Sequence, residues 1–140
     1  MKLHLLCATT RVPLSYELTA AGAADVLLVE EFLDAARLEC TTARRLFADL
    51  TYRSESLKKV LACRGIVLAA QRAYRRPATR QQVEVCFATL KRTFGMDGTL
   101  PKTFTGLATW IAAKIAAYTY GFYVNRLLGR PQGCMRKLWA

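Results

Sequence analysis

The chain reads as an α/β layered domain with a mixed sheet. Three observations predict this. Short runs rich in β-branched and aromatic residues alternate with longer runs of helical periodicity, in the order strand, strand, helix, strand, helix, strand, helix, helix. Hydrophobic residues make up 53% of the 140 residues, enough for one packed domain and too many for a disordered chain. Cap and turn residues stand between the runs.

Residues 2–8 and 12–18 predict two strands joined by a tight turn at Thr9–Arg11. Residues 22–38 predict a helix, with Val26, Val29, Leu33 and Leu38 as its apolar stripe and Glu30, Glu31 and Asp34 facing out. Arg44–Ala48 predicts a short strand that ends at Asp49. Ser54 is placed to cap a helix over Ser54–Arg64, which Gly65 closes. Ile66–Ala69 is a short apolar strand, and Gln71–Pro77 a basic loop, because Pro77 resists helix upstream. A helix follows from Ala78 to Phe94, with Val83, Phe87, Leu90 and Phe94 recurring at about 100° per residue. Gly95–Pro101 connects it to a long helix over Thr103–Leu128, with Leu107, Ile111, Ile115, Tyr118 and Phe122 on one side. That periodicity, with Lys114 in mid-helix, favours a packed helix over a membrane span. Residues 1–128 thus form the domain. Residues 129–140, with Gly129, Pro131 and Gly133, read as a flexible basic tail.

A formal charge of +11 and a pI near 9.9 point to a polyanionic partner. The charge is uneven. Residues 1–40 carry three basic and six acidic residues, whereas residues 41–140 carry eighteen basic and four acidic ones. Those four are Asp49, Glu55, Glu84 and Asp97. Ordinary solvation of helix surfaces would leave a more mixed pattern. The five cysteines are odd in number and form no C-x-x-C pair, which disfavours a disulfide framework or a zinc site. They read as small buried hydrophobes in a reducing cytoplasm. No signal peptide is evident, no membrane partner is expected, and a single histidine leaves hydrolase triads without support. His4 lies in an apolar strand and reads as core-facing or turn-bonded.

The segment Arg80-Gln-Gln-Val-Glu84-Val-Cys-Phe-Ala-Thr-Leu-Lys91 concentrates the chemistry. Spacings of four and seven put Arg80, Glu84 and Lys91 on one helix face beside the apolar stripe. A carboxylate between two cations suits metal and phosphate chemistry. The spacing Arg-x3-Glu-x6-Lys resembles the signature around the last acidic residue of the DDE transposases of bacterial insertion sequences. In that family a Tyr usually stands three residues before the Arg; here the position is Pro77. Lys2-Leu-His-Leu-Leu6 and Pro13-Leu-Ser-Tyr-Glu-Leu-Thr19 resemble the family's second and third core strands. Leu46-Phe-Ala-Asp49-Leu-Thr-Tyr52-Arg-Ser54 resembles the strand and turn carrying its second catalytic Asp, and Asn125-Arg-Leu-Leu-Gly-Arg-Pro131 its C-terminal tail.

The resemblance implies a ribonuclease-H-like mixed sheet flanked by helices and truncated at the N-terminus, since the family's first catalytic Asp lies on a strand before Lys2. It implies Asp49 and Glu84 as catalytic, metal-holding carboxylates for Mg²⁺ or Mn²⁺. Arg80, Lys91, Arg72, Arg75 and Arg76 would contact DNA phosphates. For Asp49 the alternative is a turn or cap role; for Glu84, an ordinary helix surface; for Arg80, pairing with Glu84. Tyr52 and Tyr74 either stack on an unpaired base or pack as ordinary aromatics. The expected partners are transposon-end and target DNA, with a homo-oligomer or full-length transposase, in the bacterial cytoplasm at the nucleoid. The activity implied is metal-dependent DNA cleavage and strand transfer, with the isolated fragment inactive. The alternative is a non-catalytic DNA-binding or oligomerising remnant.

Overall fold

The computed structural model describes residues 1–22, 28–35, 45–70, 77–98 and 101–138. The chain is α/β and divides into two compact units. The first comprises Met1–Leu6 and Leu14–Gln81, the second Cys7–Pro13 and Gln82–Ala140. Strands β1 (Lys2–Cys7) and β2 (Pro13–Thr19) form one two-stranded sheet. In the turn between them, Ala8 N–H donates to Val12 O (2.9 Å) and Arg11 N–H to Ala8 O (2.9 Å). Arg11 takes the left-handed conformation there, with φ 72°.

In the first unit, α1 (Leu28–Ala35) precedes a strand–helix–strand unit: β3 (Arg45–Ala48), α2 (Glu55–Cys63) and β4 (Val67–Ala70). β3 and β4 pair in parallel, Arg45 with Val67 through Ala48 with Ala70. Parallel neighbours need a crossover, and α2 supplies it. Ser54 caps α2 by accepting from Leu57 N–H (3.4 Å). Gly65, at φ +70°, closes it, and Ile66 N–H reaches back to Leu61 O (2.8 Å). Leu57 and Leu61 fall one turn apart and are buried with Val29, Leu33 and Ile66. Each such leucine contributes roughly 1.5–3 kcal/mol. Arg64 adds a 2.6 Å ion pair to Asp34 of α1, largely solvent-exposed and worth about 0–1 kcal/mol.

The single mixed sheet expected from the pattern is not what forms among the described residues. They hold two separate sheets of two strands each. Alternation identifies strands, but it does not say which strand pairs with which. Neither two-stranded sheet by itself amounts to the ribonuclease-H-like sheet that the resemblance implies. The expected helix over 22–38 is described only as Leu28–Ala35; Val26 and Leu38 of its stripe lie outside the described residues.

The second unit holds α4 (Phe104–Leu127) and most of α3 (Pro77–Arg92). Pro77 opens α3 instead of ending a loop, because the first helical turn does not use its missing N–H. Cys86 and Leu90 form its most buried line, which Phe94 continues in the turn just past its end, with Val83 and Phe87 half-buried. Thr103 caps α4 by accepting from Gly106 N–H (3.1 Å). Ile111, Ile115, Tyr118 and Phe122 are buried as the periodicity predicts. Phe94, Tyr118 and Phe122 stack edge to face, with centroids 5.7 and 5.1 Å apart. The Lys114 ammonium lies 5.5 Å from the Trp110 ring centroid. No helix among the described residues is long and apolar enough to cross a membrane.

Glycine and proline in the tail suggest fraying, yet residues 130–138 fold onto α4. Buried Asn125 donates through Nδ2 to Gln132 O (3.1 Å) and Cys134 O (3.4 Å). Met135 is buried, and a Cβ on Gly121 would meet its Sδ at 2.6 Å, so a side chain there would push it aside. Among the cysteines, Cys86 is buried as expected, Cys7 and Cys134 are half-buried, and Cys63 is exposed; Cys40 lies outside the described residues. Asn125→Ala strands two carbonyls and should cost about 1–3 kcal/mol. Amide exchange should rise selectively at residues 130–135, and unchanged exchange there would show that the tail is held by something else.

Candidate functional site

Asp49 directly follows the C-terminal end of β3, the end at which α/β sheets present ligand-binding groups. It is exposed, and it caps a 3-10 turn over Leu50–Tyr52. Its Oδ1 accepts from Leu50 N–H at 2.7 Å, and its carbonyl accepts from Tyr52 N–H at 3.1 Å. The turn orients the carboxylate while leaving it at the surface, so capping does not hide it.

Glu84 is exposed on α3. Cys86, two residues on, lies about 200° around the helix, so burial of Cys86 turns Glu84 outward. Lys91, two turns after Glu84, is exposed on the same face and pairs with Asp97 at 3.9 Å. With both side chains more than half exposed, that pair is weak and a phosphate could displace Asp97. Arg80 lies in the first turn of α3, but its side chain is outside the described set. Arg72, Tyr74, Arg75 and Arg76 lie outside the described residues altogether. Asp49 belongs to the first unit and Glu84 to the second.

Tyr52 is half-buried against the Leu57–Leu61 cluster, and its hydroxyl sits 3.1 Å from His4 Nδ1. It therefore takes the packed alternative over base stacking. His4 is buried and bonded, as its apolar strand predicts. The second unit contains a cluster that the spacing of the cysteines does not reveal: Cys7, Cys86 and the Tyr118 hydroxyl share hydrogen bonds. Burial and the neighbouring Cys86 push the Tyr118 hydroxyl up, so it stays neutral. This cluster is core polarity, facing away from Glu84.

No group of three His, Cys, Asp or Glu among the described residues is arranged to hold a metal ion. The donors present still suit Mg²⁺ or Mn²⁺. Each of the two acids is a surface carboxylate, a hard oxygen donor of the kind Mg²⁺ takes together with water and substrate phosphate. The family model described as the transposase DDE domain matches residues 1–120. No curated protein and no solved structure matches the chain.

Because Asp49 both caps and points outward, two substitutions should separate its roles. Asp49→Asn keeps an oxygen for Leu50 N–H and should leave thermal stability nearly unchanged. Asp49→Ala should cost about 0.5–2 kcal/mol. Equal melting temperatures for the two variants would show that the cap contributes nothing.

Proposed function

The chain belongs to the transposase DDE domain family, and on that premise we propose that it serves DNA transposition through metal-dependent cleavage and strand transfer at insertion-sequence ends. The observation that supports this most is the placement of Asp49. It is an exposed carboxylate, oriented by its own turn, at the C-terminal end of a parallel strand. The family implies a ribonuclease-H-like sheet, in which β3–α2–β4 would be the part that carries this acid. Glu84 is the second carboxylate, held outward on α3.

On the family pattern Asp49 and Glu84 are each a candidate ligand for Mg²⁺ or Mn²⁺, which when bound would activate the attacking water or 3′-hydroxyl and neutralise the leaving oxygen. Lys91, with Arg80, Arg72, Arg75 and Arg76, binds the phosphates of the transposon end and target DNA. Asp97 occupies Lys91 until DNA arrives. The family pattern has three acids, of which Asp49 and Glu84 correspond to two, and its third carboxylate would complete the metal site.

An exposed stripe on α4 favours self-association in addition. Thr109, Ala113, Ala116, Tyr120, Tyr123 and Leu127 are all exposed and spaced four and three apart, as in a helix-pairing seam. Two antiparallel copies would set Tyr120 against Ala116 and Tyr123 against Ala113, large against small. The whole protein acts where DNA is, on this reading at the bacterial nucleoid.

Two experiments test these readings. The 140-residue chain should bind random duplex DNA with an affinity that falls about a thousandfold between low and moderate salt, for roughly six phosphate contacts. Joined to a segment supplying the third acid, it should cleave cognate ends with Mn²⁺ or Mg²⁺. Glu84→Gln should abolish that cleavage and Glu55→Gln should not. Salt-independent binding, or loss of cleavage with Glu55 alone, contradicts the assignment. Separately, sedimentation should show a dimer that Tyr120→Lys dissociates; a monomer at all concentrations rules out the α4 seam.

A further inference from the structure

His4 is buried in β1, and both of its ring nitrogens are engaged. Nδ1 lies 3.1 Å from the Tyr52 hydroxyl, and Nε2 lies 2.9 Å from Thr19 Oγ1 on β2. A neutral imidazole has one N–H to donate and one nitrogen to accept. Both hydroxyls can take either role, so the trio is satisfied in either tautomer. Tyr52 is also the last residue of the 3-10 turn that Asp49 caps. Leu50 and Thr51 of that turn are exposed, whereas the Tyr52 ring packs against the buried leucine cluster. Tyr52 is thus the turn's inward anchor, and His4 fixes the far end of that anchor.

We propose that His4 is a positioning residue for Asp49. Through the Tyr52 hydroxyl it sets the turn whose N-terminal cap is the carboxylate, and so sets where that carboxylate stands. All of His4, Thr19, Tyr52 and Asp49 belong to the first unit, so the linkage is complete within it. The inference rests on Asp49 being a metal ligand, as proposed above. Its chemistry is that of an outer partner: it touches neither metal nor DNA, yet it decides the orientation of a group that does.

The test uses the full chain and Mn²⁺ alone, followed by paramagnetic broadening of the Leu50, Thr51 and Arg53 amides. Wild type should show saturable broadening that Asp49→Asn removes. Tyr52→Phe keeps the ring in the core and deletes only the hydroxyl. It and His4→Phe should each weaken Mn²⁺ binding about tenfold. His4→Gln, which retains a donor and an acceptor, should recover part of the loss. Gly65→Ala, which strains the close of α2 at φ +70° and touches no side chain of the Tyr52 cluster, should destabilise the first unit and leave Mn²⁺ affinity unchanged. Amide exchange of Tyr52 and Arg53, whose N–H groups close the turn, should rise in Tyr52→Phe and His4→Phe.

Wild-type Mn²⁺ affinity or wild-type exchange in Tyr52→Phe overturns the positioning role. An equal loss of affinity in Gly65→Ala reduces it to general stability and overturns it as well. If wild type and Asp49→Asn broaden alike, the ligand assignment of Asp49 fails instead, and the exchange measurement still decides whether His4 sets the turn.

Discussion

The parallel pairing of β3 with β4 is the constraint on which the first unit depends. Two four-residue strands form few ladder bonds, and parallel neighbours cannot be joined by a tight turn. The pair persists because α2 crosses over it and buries Leu57 and Leu61 with Val29, Leu33 and Ile66. That burial fixes the direction of β3. The direction of β3 decides that Asp49 emerges at the strand's C-terminal end. The chemistry at the surface is thus a consequence of apolar packing beneath it.

The second unit solves a similar problem with helices. Glu84 and Lys91 face outward because Cys86, Leu90 and Phe94 are drawn into the core. The edge-to-face run of Phe94, Tyr118 and Phe122 ties α3 to α4. A carboxylate on a helix held this way keeps its outward orientation. The scarcity of acids after residue 40 makes the rest of the field positive, which draws phosphate toward it.

Most elements were legible in the sequence because their signals are local. Ser54 and Gly65 bracket α2, Thr103 begins α4, and the apolar rhythm of α4 matches its buried face. The exposed placement of Asp49 and Glu84 followed from the end of one strand and the rhythm of one helix. What was not legible depends on pairing at a distance. Strand alternation gave no sign that the strands would form two sheets instead of one. The tail read as loose because Gly129, Pro131 and Gly133 are turn residues, yet Asn125 satisfies two of its carbonyls and Gly121 makes room for Met135. The bond from His4 to Tyr52 spans 48 residues, and nothing in the local pattern of either segment announces it.

The position of Trp110, under the Lys114 ammonium on α4, has a spectroscopic consequence. Both tryptophans, at 110 and 139, follow residue 81, so the first unit carries no indole at all. Indole emission during heating therefore watches the second unit alone, while far-ultraviolet dichroism watches the helices of both. The gap between the two transition midpoints is a direct gauge of how far the halves melt as one cooperative body.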